Sequence, residues 1–147
     1  MKRESLISID AARTLAHVAL LAAWEGNGDA AEQIFAALQA AKPAEPNIRV
    51  CRAMVYACQD RFTECLSLLE EVLTDEPRNM SAKSLRGFVL FTLEDPAWRG
   101  ELEAVIADGS DPASVGLAEK ILQDNARKSL SSSSPRSGGP PAIVSYA

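Results

Sequence analysis

One apolar pattern in this chain recurs after 34 residues, and it limits the fold more than any other feature. Ala31, Phe35, Leu38 and Pro43 are answered, each 34 positions later, by Cys65, Leu69, Val72 and Pro77. Spacings of four and then three put the side chains of each set on one face of a helix. The small residue that opens a set lets a neighbouring helix approach closely, and the larger ones fill the remaining gap. Pro then ends the helix, because it lacks the amide hydrogen and its ring collides with the preceding turn. A unit of this length cannot bury its apolar face alone, so such units stack.

The preceding stretch of each unit supplies a first helix in the same register. Leu15, Val18, Ala19 and Ala22 share a face, Ala53 and Tyr56 answer Ala19 and Ala22, and Gly87 and Leu90 answer them again. Arg49 and Arg52 depart from the pattern, standing where Leu15 and Val18 lead one to expect apolar residues. A period of 34 with this ending is that of tetratricopeptide helical hairpins. The expected fold is therefore all-α: tetratricopeptide-like hairpins stacked in a short right-handed superhelix of about seven helices. Repeats span about 12–45 and 46–79, with a diverged third at 80–126, inside one helical domain of residues 1–128.

Turn chemistry agrees. Asp10, Asp29 and Asn47 are suited to cap helices, Gly26-Asn27-Gly28 and Gln59-Asp60-Arg61 to turn the chain, and Asp95-Pro96 and Asp111-Pro112 to start helices with Pro in the first turn. Composition points the same way: Ala and Leu dominate the apolar residues, only 5% of the chain is aromatic, and both favoured types lose little freedom in a helix. From Ser129 the chain changes character, with Ser131 to Ser134, Gly138-Gly139 and Pro140-Pro141. Residues 129–147 read as a disordered tail, since they offer too little apolar surface to offset the entropy of ordering. The end, Ala142 to Ala147, reads as plain tail or as a short docking motif.

Charge excludes one broad class. The 147 residues carry a net charge of −5, and residues 1–128 hold 14 of the 15 Lys and Arg and all 20 Asp and Glu. No basic patch for nucleic acid emerges. No apolar run reaches the roughly 18 residues of a membrane span, and Asp10, Arg13 and His17 interrupt what would be the apolar part of a signal peptide. Cys51, Cys58 and Cys65 recur every seven residues; Cys51 and Cys58, about 10 Å apart on one helix, are too distant to bridge. Without a nearby histidine they make no zinc site, and buried small apolar residues describe them better. His17, the single histidine, reads as partly buried, and no nucleophile, phosphate-loop or metalloprotease motif accompanies it. An enzyme is not expected, and neither a cofactor nor a metal.

Recognition is the better expectation. On the concave side of such a stack the first helices present Ala16, Leu20 and Trp24, then Val50 and Met54, then Phe88 and Phe91, interrupted by Ser84. Of these, Leu20, Trp24, Val50, Met54, Phe88 and Phe91 are the expected partner-binding residues, an apolar stripe suited to the nonpolar face of an amphipathic helix. The stripe reads equally well as filled by the chain's own terminal helix or by a second copy.

The segment Leu85 to Arg99, with Asp95-Pro96-x-Trp98, then Glu103-Ala104-Val105, Ser110-Asp111-Pro112 and Val115 to Leu122, resembles the HrpK family of bacterial type III secretion proteins. The resemblance covers roughly residues 10–125; Glu94 stands where the family often has Gly. It implies an accessory role in type III secretion: assisting pilus or needle assembly, self-association into a dimer or larger, and peptidoglycan contact. It further implies a periplasmic location without an ordinary signal peptide. A more distant resemblance, to YscG-like co-chaperones, implies instead a cytoplasmic protein holding a needle subunit in its apolar groove.

Overall fold

The computed structural model describes residues 7–41 and 46–133. Within them the chain forms seven helices and no strand: α1 (Ile9–Trp24), α2 (Gly28–Ala41), α3 (Pro46–Cys58), α4 (Phe62–Asp75), α5 (Met80–Thr92), α6 (Trp98–Asp108) and α7 (Pro112–Ser133). Each helix packs on the next, and α1 also packs on α3, α3 on α5, and α5 on α7. The first helices of successive hairpins thus lie side by side, with α2, α4 and α6 behind them. This is the tetratricopeptide-like superhelix expected from the period, with α7 taking the place of a fourth first helix.

Three linked cores hold the stack. Ala12, Ala16, Ala19 and Ala23 form the buried face of α1, and their small size lets α2 bring Phe35 and Leu38 close. The second core joins Val50 and Ala53 of α3 to Cys65, Leu69 and Val72 of α4 and to Ala82, Leu85 and Val89 of α5. The third gathers Met80, Leu102, Val105, Ala118 and Ile121. Between α5 and α6 the approach is close: a Cβ on Gly87 would stand 2.5 Å from Cδ2 of the fully buried Leu102.

Helix starts differ from expectation by a residue or two. Ser8 caps α1, accepting from the Ala11 amide at 3.1 Å, which leaves Asp10 inside the first turn. Asn27 accepts from Ala30 at 3.2 Å and displaces Asp29 as the cap of α2. Asp95 accepts from the Ala97 amide at 2.9 Å but closes a turn, and α6 starts only at Trp98. Asp111 does cap α7, accepting from the Ala113 amide and the Ser114 hydroxyl. Asn47, expected to cap α3, lies inside that helix, which already begins at Pro46, and the expected turn at Pro43 falls on residues 42–45, outside the described residues.

The larger difference is at the other end. Residues 129–133, expected in the tail, continue α7 to Ser133. The hydroxyls of Ser129, Ser131, Ser132 and Ser133 donate to carbonyls three or four residues back, so these short polar side chains turn onto their own helix. Residues 134–147 lie outside the described residues.

Candidate partner-binding groove

The six residues expected to line the groove fall into three environments. Leu20, Met54 and Phe88 are spaced 34 apart and form one column across α1, α3 and α5. Leu20 is half-buried against the first core and Met54 against the second, whereas Phe88 is 38% exposed and belongs to no core. One turn earlier the column Ala16, Val50 and Ser84 is buried throughout. Val50 is thus a core residue and offers no surface, a correction to the sequence reading. One turn later, at Trp24, Cys58 and Thr92, the column is exposed, with Trp24 at 78%. The groove therefore opens toward the C-terminal ends of the first helices.

Phe91 is also redirected. Its ring meets that of Trp98 edge-on, with centroids 5.0 Å apart, and both pack against the third core. The turn between them places Glu94 in the left-handed region at φ 58°, where a side chain is strained and glycine is not. That strain accounts physically for the glycine expected there. What remains for a partner is a floor of Leu20 and Met54 flanked by two large unpartnered rings, Trp24 and Phe88.

A second kind of surface was not foreseen. Behind the groove, a cleft of about 430 Å³ between α2 and α4 is floored by Arg52 and Tyr56 of α3 and edged by Glu64 and Glu71. Arg52 donates to Gln39 at 2.6 Å, and the Tyr56 ring lies under Arg52 and Arg61, 5.7 and 4.5 Å from its centroid. A matching cleft of about 360 Å³ lies between α4 and α5, lined by Glu70, Lys83 and Arg86. The signal was present in Arg49 and Arg52, which broke the apolar register.

The titrating groups are distributed as a scaffold requires. Cys65 is buried, and its thiol is pushed up to about 12 by burial and then by the neighbouring Cys58. Cys51 is half-buried and Cys58 is exposed, so burial describes only part of the trio expected inside; burial still raises both thiols. His17 lies exposed on α1, not partly buried. Among the described residues no group of His, Cys, Asp and Glu is placed to hold a metal ion, and no helix is long and apolar enough to cross a membrane.

Stacked hairpins with an apolar groove along the first helices define a tetratricopeptide-like scaffold. The profile of the bacterial type III secretion protein family (HrpB1_HrpK) matches residues 4–127, and the chain belongs to that family. Among solved structures it is similar to PcrH in complex with the chaperone binding region of PopB. That likeness has a TM-score of 0.62 at 15% identity, covering 80% of this chain and 96% of the other. It is similar too to the first tetratricopeptide domain of Spaghetti (RPAP3) bound to the HSP90 peptide SRMEEVD. There the TM-score is 0.59 at 20% identity, covering 82% and 97%. A comparison with curated protein sequences finds no match.

Proposed function

We propose that this chain is a non-enzymatic accessory protein of a bacterial type III secretion system. It assists assembly of the pilus, needle or translocation apparatus by holding an amphipathic segment of a secretion component in the groove. The observation that carries this reading is the pair Trp24 and Phe88, two large rings left exposed beside an apolar floor. Burying Trp24 would contribute about 1.5–3 kcal/mol and covering the exposed part of Phe88 about 1 kcal/mol, together the scale of an interface anchor. Family membership supplies the secretion context, and the similar PcrH structure holds a chaperone binding region of PopB. In the test, a Trp24→Ala, Phe88→Ala double variant is expressed in the native bacterium and its copurifying secretion components are measured. Loss of those components with intact helical circular dichroism supports the groove; undiminished recovery overturns it.

Location, peptidoglycan contact and self-association belong to the same proposal. The periplasmic assembly role follows from the family resemblance. Self-association is supported by Leu15, Val18 and Leu21, apolar and exposed on the outer side of α1. A Val18→Arg, Leu21→Arg variant should then sediment as a smaller species than the parent protein. The second reading, a cytoplasmic co-chaperone of a needle subunit, is favoured by the apolar groove itself. Fractionation separates the two: apparatus-dependent recovery in the periplasm supports the assembly factor, and cytoplasmic protein carrying a needle subunit supports the co-chaperone.

A further inference from the structure

The groove opens at the C-terminal ends of the first helices, and the chain itself emerges there. Short turns join α5 to α6 and α6 to α7, so α7 runs parallel to α5 and lies beside it. Beyond Leu122, its last core contact, α7 continues eleven residues to Ser133, a rise of about 16 Å. The next eight residues, Ser134 to Pro141, are Ser, Pro, Gly and one Arg, and span up to about 26 Å when extended. Neighbouring helix axes are about 8–10 Å apart, so residues past Pro141 reach Phe88 on α5 with chain to spare.

Past this linker the chain turns apolar. Five of the six residues Ala142, Ile143, Val144, Ser145, Tyr146 and Ala147 are apolar, and no charged side chain occurs after Arg136. The family match ends at residue 127, before this segment. We propose that Ile143, Val144 and Tyr146 fold back onto Phe88 and Met54 and occupy the groove in the absence of a partner, as an internal competitor. The proposal rests on the groove reading above, of which it is the regulation.

The arithmetic of tethering makes even a weak contact effective. A linker this short presents the segment at an effective concentration of the order of 1 mM. A segment binding in trans with a Kd of about 0.1 mM would thus weaken any competitor for the groove about tenfold. The occupant would also cover rings that otherwise face water.

The test uses the full chain and a fluorescent peptide of sequence Pro140 to Ala147. Anisotropy titrations compare the parent protein with an Ile143→Asp, Val144→Asp variant, and with that variant carrying Phe88→Ala. The expected result is about tenfold tighter peptide binding to the tail variant than to the parent, lost on adding Phe88→Ala. Equal, Phe88-dependent binding to parent and tail variant would overturn the internal competitor while leaving the groove intact. Absence of binding to all three also overturns it, whereas the groove reading stands or falls on the copurification experiment. Should the parent block the peptide only at high protein concentration, the occupant is a neighbour's tail and the intramolecular proposal fails.

Discussion

The same two register positions are apolar on the first helix of the stack and cationic on the two first helices that follow it. On α1 they are Leu15 and Val18, 40% and 47% exposed. On α3 they are Arg49 and Arg52, and on α5 Lys83 and Arg86; Arg52 lines the cleft between α2 and α4, and Lys83 and Arg86 line the one between α4 and α5. Burial alone would dictate the reverse. On these two helices the arginine stems pack while their ends reach partners: within a hairpin Arg49 bonds Asp75 at 2.7 Å and Arg86 makes a two-pronged contact with Glu101 at 2.6 and 3.0 Å, and between hairpins Arg52 donates to Gln39 at 2.6 Å. The later hairpins are therefore pinned, within and between, by directional polar contacts, which hold one register, whereas α1 presents a non-directional apolar face that any complementary surface can cover. The groove's rings and the α1 face are two separate liabilities to water, and each invites its own occupant.

The largest contrast lies within the first hairpin. Phe35→Ala removes a fully buried ring and should cost about 3–5 kcal/mol in urea denaturation, whereas Leu21→Ala, at 65% exposure, should change stability by less than about 0.5 kcal/mol. A concentration-dependent loss in Leu21→Ala would break the contrast, because it would show the outer face of α1 covered by a second copy.

Interior cations should differ among themselves. Arg86→Leu strips Glu101 of both its bonds in a half-buried setting and should lower stability by about 1–2 kcal/mol. Arg52 has a buried Nε without a partner, so Arg52→Leu removes a poorly satisfied group and should raise stability by up to about 1 kcal/mol. Thermal unfolding of the two variants checks the sign of each; a loss in both would mean that the Gln39 and Tyr56 contacts outweigh the orphaned nitrogen.

The second helices were fully legible in the sequence, because Phe35, Leu38, Leu69 and Val72 obey a helical period and all four are buried. The groove was legible only as a stripe. Periodicity gives the face of a helix but not the depth along it, so it could not separate Val50 from Met54, one turn apart, the first buried in the second core and the second only half-buried against it. Nor could it foresee that the Asp95-Pro96 turn carries Trp98 back onto Phe91. The extension of α7 was hidden because serine runs are equally at home in tails; here their hydroxyls bond along the helix instead.

A smaller effect comes from the turn after α5. Glu94 holds φ at 58°, a conformation that favours glycine by about 1 kcal/mol. Glu94→Gly should thus stabilise the protein by up to about 1 kcal/mol, less the entropy that glycine adds to the unfolded chain. Asp60, at φ 57° in the turn before α4, gives an independent second case. If both substitutions destabilise, the side chains at these turns contribute more than the strain they impose.

The smallest effect should separate the seam between α2 and α4 from the outer face of α1 by pH. Arg61 bonds both Glu64 and Glu32, tying α4 to α2, and the hydrogen bond from Arg61 holds the Glu64 carboxyl below its ordinary range. A carboxyl with a lowered folded-state pKa contributes stability above its unfolded value, and that contribution fades as pH falls through the folded value. Asp108, lowered by hydrogen bonds from Ser110, acts in the same direction in the turn before α7. Stability should therefore decline between about pH 5 and pH 3, and Glu64→Gln should flatten part of that decline. Because these groups are exposed, high salt should shrink the effect as well. The apolar face of α1 carries no such dependence, so self-association through it should persist at salt concentrations that erase the Glu64 contribution. Were salt to dissociate the assembly, the interface would lie on the charged seams and not on Leu15, Val18 and Leu21.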